Sequence, residues 1–125
     1  MSRISKFTVV PRIPERLAKL ATIADNMWWC WDPEAVNLLF RIDRELWTQV
    51  HENPRRLLGD VSQVRLEELA HDDSFLAHLD RVAARLEDYM ETNRWFERNP
   101  QAPEQMCVAY MSAEFGLHES IGIYS

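Results

Sequence analysis

Asn26 and the run Trp28-Trp29-Cys30-Trp31, with Asp25 before it and Asp32 after it, form the densest aromatic cluster of the chain. Aromatic faces beside amides and carboxylates suit sugar rings, because axial C–H groups stack on π-faces while hydroxyls take up the polar groups. The same tryptophans could instead pack a helical core and its contact with a following domain. Adjacent residues at a helix end point in different directions and do not all share one platform. Both readings are open from the residues alone.

A second constellation is Tyr110-Met-Ser-Ala-Glu114-Phe-Gly116, in which an apolar run ends in Ser112, a carboxylate and a glycine. Ligands of open α/β sheets bind beyond the carboxyl ends of strands, which makes Glu114 the best single ligand contact. A cap or a solvated loop residue is the plainer role for a lone glutamate. His118 and Glu119 invite a metal or acid–base reading, but no second ligand stands at helical or strand spacing, so a hydrogen-bonded loop histidine is expected. His51, His71 and His78 fall on polar faces of predicted helices and are expected at the surface. The chain shows no Gly-rich phosphate loop, nucleophile elbow or metal motif.

The elements that must position these residues read mainly as helices. Pro11 and Pro14 precede a stripe at Leu17, Leu20, Ala21 and Ala24, so a first helix starts near Pro14 and ends between Asn26 and Trp31. Asp32-Pro33-Glu34 combines an N-cap acid, a proline at the first helical position and a first-turn carboxylate, followed by an apolar face of Val36, Leu39 and Phe40. Asp43 caps a helix with Leu46, Trp47 and Val50. Asn53-Pro54 repeats the cap-and-proline device ahead of Leu57 and Leu58, with Gly59 as the expected stop. Ser62 starts a short helix through Val64, Leu66 and Leu69.

From Asp73 to about Asn93, apolar residues at Phe75, Leu76, Leu79, Val82, Ala83, Leu86, Tyr89 and Met90 predict one long amphipathic helix. Its other face carries Asp80, Arg81, Glu87, Asp88, Glu91 and Arg94. A stripe docked on its own bundle is preferred over a coiled coil with another chain. Residues 97–105 read as a linker, with Pro100 and Pro103. The run Met106 to Met111 then suggests a strand buried on both faces, with no second strand to pair it. Residues 106–125 are therefore expected to begin an α/β domain whose remainder lies outside the chain.

The 125 residues are 46% hydrophobic and 27% charged, within the range of one globular domain with a core that needs neither disulfides nor metal. Apolar runs are far short of the ~20 residues of a membrane span, and no signal peptide is evident, so a cytoplasmic location is expected. Cys30 and Cys107 lie far apart and read as free thiols rather than a disulfide or zinc site. The net charge of −6 is concentrated in residues 61–125, which hold twelve acids against five bases, and argues against nucleic acid as a partner.

The segment from Tyr110 through Glu114, Gly116, His118 and Gly122 to Tyr124-Ser125 closely resembles the start of the catalytic domain of the α-glucan phosphorylases, the glycogen, starch and maltodextrin phosphorylase family. Upstream, Leu17-Ala-x-Leu, Asn26-x-Trp28-Trp29-x-Trp31-x-Pro33, Leu46-Trp47 and Asn53-Pro54-x-x-Leu57-Leu58 resemble the extra N-terminal helical domain of one bacterial and archaeal subgroup. The resemblance implies a mainly α fold. Residues 1–96 are expected to form an all-α accessory domain, 97–105 a linker, and 106–125 the first strand of a truncated α/β, double-Rossmann glycosyltransferase domain.

The activity implied is phosphorolysis of terminal α-1,4-glucosyl units to glucose 1-phosphate, with pyridoxal phosphate as cofactor and α-1,4-glucan and phosphate as partners. The family's cofactor lysine is in the distant C-terminal half, and neither Lys6 nor Lys19 matches it. The chain is thus expected to be inactive alone, with the rest of the catalytic domain as its partner and oligomerisation open. By matching position, Glu114 and Ser112 are substrate-side residues, and Tyr124 with Ser125 leads into the family's Gly-rich loop. Ala113 and Gly116 depart from the animal and plant pattern but suit the subgroup with the added domain. The alternative is a stand-alone helical module that binds α-glucan through Asn26, Trp28, Trp29 and Trp31, or a docking domain that buries these tryptophans.

Overall fold

The computed structural model describes residues 10–92, 94, 95, 98–101 and 109–112. Among these residues six α-helices follow one another: α1 Lys19–Asp25, α2 Pro33–Ile42, α3 Arg44–Gln49, α4 Pro54–Asp60, α5 Gln63–Ala70 and α6 Asp73–Glu91. Short 3₁₀ turns, Glu15–Leu17 and Met27–Trp31, precede α1 and α2.

The division into short helices follows from side chains that satisfy the orphan N–H groups of each first turn. Asp32 accepts from the backbone of Glu34 and Ala35 at 2.9 and 3.1 Å, and Asp43 accepts from Leu46 at 3.0 Å. Asn53, Ser62 and Asp72 do the same for Arg56, Arg65 and Phe75. Pro33 and Pro54 occupy first-turn positions where no N–H is missed. At the other end of α2, Arg65 of α5 donates to the carbonyls of Ile42 and Arg41 at 2.8 and 3.1 Å, supplying a cation where the helix dipole favours one.

A single core lies between these elements. Leu17, Leu20, Ile23, Leu38, Leu39, Ile42, Leu57, Leu66, Leu69, Phe75, Leu79 and Val82 are essentially sealed from solvent. The stripe of α6 packs on this core, against α1, α2, α5 and the first 3₁₀ turn, so its apolar face is used within the chain. Lys19 pairs with Asp80 at 2.6 Å across the α1–α6 surface, an exposed bridge of small energetic weight.

Several expectations are corrected. The first helix is split at Ala18 and ends at Asp25, and its buried face uses Ile23 while Ala21 is exposed. In α2 the buried face is Ala35, Leu38, Leu39 and Ile42; Phe40 is turned outward, with the Arg44 guanidinium 5.4 Å from its ring centre. Val64 is exposed, because the helical period places Leu66, Leu69 and Ala70 on the core side.

Gly59 does not stop α4. The helix runs through it to Asp60, and the chain leaves in extended geometry at Val61, whose side chain is buried. His78 is buried, not at the surface. Arg41 donates to its Nδ1 at 3.1 Å, which leaves the ring proton on Nε2, 3.1 Å from the Glu34 carboxylate but off the line of a hydrogen bond.

No strand occurs among the described residues. Residues 109–112 are irregular, with Tyr110 and Met111 in solvent. Residues 106–108 lie outside the described residues, as do most of the 97–105 linker and residues 113–125.

Candidate functional site: an aromatic cleft at the end of the bundle

Five residues between two capping side chains are too few for a stable α-helix, and Met27–Trp31 closes as a 3₁₀ turn. Asn26 Oδ1 accepts from the Trp28 backbone at 2.9 Å, and the backbone of Asp32 donates to the Trp29 carbonyl at 3.3 Å. With three residues per turn, side chains three apart align. Trp28 and Trp31 therefore share one side of the turn, while Trp29 is rotated by a third of a turn into the core.

The burial follows that geometry. Trp29 is sealed and meets Trp47 edge-on, ring centres 5.9 Å apart. Trp28 is half-buried and lies 6.1 Å from Tyr89 near the end of α6. Trp31 is 76% exposed. Of the predicted sugar-binding residues, the structure thus brings Asn26, Trp28 and Trp31 together and places Trp29 elsewhere. Asn26 also reaches α6, its Nδ2 3.5 Å from the Met90 sulfur.

Cys30, half-buried, has its Sγ 2.9 Å from the Met27 carbonyl. Burial pushes its thiol above the ordinary range, against the opposing pull of hydrogen bonds from its own backbone and from Trp31.

Two adjoining clefts open over this turn. One, of about 480 Å³, is lined by Asn26, Met27, Trp28, Trp31, Asp32 and Tyr89. The other, of about 440 Å³, lies on the α6 side, where Arg85, Asp88, Arg94 and Trp95 join Trp28, Asp32 and Tyr89. Both fall within the roughly 300–1,000 Å³ of small-molecule sites.

Asp32 stands between them, 6% exposed. Its Oδ1 caps α2, and its Oδ2 accepts from Arg85 Nε at 2.9 Å and Nη2 at 2.5 Å. This hydrogen-bonded contact favours the charged guanidinium and raises the Arg85 pKa further above its ordinary value. Arg94 lies over the Tyr89 ring, 4.0 Å from its centre, and donates to the Tyr89 carbonyl.

Arg85, Tyr89 and Arg94 join the site without having been expected there. The four-residue spacing of Arg85 and Tyr89 puts them on one face of α6, a signal present in the sequence. The partnership of Arg85 with Asp32, 53 positions away, had no local signal.

Ser112 is exposed. Glu114, Tyr124 and Ser125 lie outside the described residues, as do His118, Glu119 and Cys107. Among the described residues no group of three His, Cys, Asp or Glu side chains could hold a metal ion. No helix among them is long and apolar enough to cross a membrane.

Fold and cleft together define a small helical domain with an aromatic, ion-paired opening at one end. Residues 13–121 match the family model described as "Protein of unknown function (DUF3417)", and the chain belongs to that family. It is 39% identical over its whole length to a glycogen phosphorylase of Mycobacterium tuberculosis, of which it covers 15%. It is 36% identical over 91% of its length to a maltodextrin phosphorylase of Thermococcus litoralis, and 33% identical over 82% to a glycogen phosphorylase of Aquifex aeolicus, covering 14% of each. The resemblance to the N-terminal part of the phosphorylase family thus extends across the chain. No solved structure matches it.

Proposed function

We propose that the chain is the N-terminal portion of an α-glucan phosphorylase, which cleaves terminal α-1,4-glucosyl units with phosphate to give glucose 1-phosphate. The observation that carries this reading is the 39% identity running along the entire chain rather than along a motif. Because the chain spans about 15% of that relative, the activity belongs to a longer protein. In this reading residues 1–96 are an accessory domain and 97–105 a linker. Residues 106–125 enter the catalytic domain, with Ser112, Glu114, Tyr124 and Ser125 on the substrate side. The enzyme acts in the cytoplasm.

Pyridoxal phosphate is the cofactor expected of such an enzyme, but the described residues do not fit it. Lys19, the one described lysine, is ion-paired with Asp80 on an open face that also carries Glu87, a setting that repels a phosphate group. The cofactor belongs to the rest of the full-length protein, and the 125 residues alone are inactive.

The test is phosphorolysis of maltodextrin, read as glucose 1-phosphate release. The full-length protein is expected to produce it and the 125-residue chain is not. Release by the short chain, or none by the full-length protein, overturns the assignment.

The exposed Trp31 beside Trp28 and Asn26 favours a second reading for the helical domain itself: it binds α-glucan at the cleft. Its rival is a docking domain that covers the cleft with protein. Quenching of tryptophan fluorescence by maltoheptaose, lost in Trp31→Ala, supports glucan binding; an unresponsive spectrum supports docking.

A further inference from the structure

We infer that the Asp32–Arg85 pair is the specificity-determining element of an oligosaccharide site, reading neighbouring hydroxyls of a sugar ring while Trp28 and Trp31 carry ring faces. This rests on the glucan-binding reading just given. A guanidinium has five N–H donors in a rigid plane, of which Arg85 gives two to Asp32. The other three have no acceptor among the described residues, and the side chain, 56% exposed, lines the α6-side cleft.

Asp32 holds that plane in place. Its carboxylate is fixed by two backbone N–H groups of α2 on one oxygen and by Arg85 on the other. A donor set ordered before the ligand arrives loses little freedom on binding, which is the condition for a selective polar contact in an aromatic cleft. Capping α2 requires only Oδ1. The engagement of Oδ2 with an exposed arginine at the wall of an opening is what the cap leaves unexplained.

The charge balance favours a neutral ligand. Arg85, Arg94 and Arg98 line the α6-side cleft with Asp32 and Asp88, and the Glu34 carboxylate also acts on Arg85, so three carboxylates offset the three cations. Arg94 is further engaged on Tyr89. An uncharged polyol with a long apolar face matches this lining better than a phosphate. Trp28, Asp32 and Tyr89 border both clefts, so one saccharide chain can lie across the two, on Trp31 at one side and under Arg85 at the other.

The experiment titrates tryptophan fluorescence of the 125-residue chain with maltoheptaose and, separately, with orthophosphate, while circular dichroism reports the fold. Saturable quenching by maltoheptaose is expected, weakened by at least about tenfold in Arg85→Met, since methionine offers the sugar none of the charge-assisted hydrogen bonds of the guanidinium. Arg85→Lys keeps a cation for Asp32 but loses the fork, and should also weaken binding; it decides the matter if Arg85→Met does not fold. Wild-type affinity in the folded variants overturns the inference and leaves glucan binding standing. No response of the wild-type chain to maltoheptaose overturns both. A response to orthophosphate alone, abolished in Arg85→Met, makes this an anion site and also overturns the inference.

Discussion

At the scale of single residues, backbone geometry decides where glycine helps. Gly59 sits inside α4, and a Cβ built on it would meet nothing within 4 Å. His51 and Glu52, by contrast, adopt left-handed backbone with φ of 53° and 56°, where the chain reverses after α3 and the Glu52 backbone donates to the Trp47 carbonyl. Gly59→Ala should stabilise the domain by roughly 0.5–1 kcal/mol, and His51→Gly by a similar amount, both read as urea midpoints. The sequence points the wrong way here. A lone glycine after two leucines has the look of a stop, and nothing in His51-Glu52 announces positive φ. Cys30 offers a second measurement. Its raised pKa means the folded thiol ionises above the unfolded one, so its contribution to stability is complete below the ordinary thiol range and is lost as pH rises through the folded value. Alkylation of Cys30, followed by peptide mass spectrometry, should be slower in the folded chain than in urea at pH 8.

At the scale of elements, most boundaries were legible because each is fixed by a residue with a local job. Asp32, Asn53 and Ser62 start helices where their side chains meet orphan N–H groups, and prolines mark two of those starts. The face each short helix buries was harder to read, as Phe40 and Val64 show, because fewer than three turns leave the apolar direction poorly defined. The tryptophan turn was legible only as a cluster; its 3₁₀ period separates the members. Trp29→Ala removes a sealed ring from beneath α2 and α3 and should cost about 3–5 kcal/mol, a large share of a typical domain's roughly 5–15 kcal/mol. Trp31→Ala should change thermal stability by less than about 0.5 kcal/mol, since the ring is mostly in solvent. Calorimetric melts of the two variants separate the core role from the surface role, and equal losses would contradict the turn geometry.

At the scale of the whole molecule, the order of the α-helices among the described residues could be read from the sequence, whereas the contacts between distant segments could not. Asp32 with Arg85, Arg41 with His78 and Lys19 with Asp80 are 53, 37 and 61 positions apart, and each depends on how the helices stack. Of the candidate site, Asn26, Trp28 and Trp31 were legible by residue type. The wall that α6 supplies was legible only as the shared face of Arg85 and Tyr89; that this face meets Asp32 was not, because the contact depends on how the helices stack. Helix α6 touches the first 3₁₀ turn as well as α1, α2 and α5. During synthesis, then, the earlier helices emerge from the ribosome without the partner that closes them. Nascent chains halted before Leu79 should stay open to protease, and resistance should arrive abruptly once α6 clears the exit tunnel.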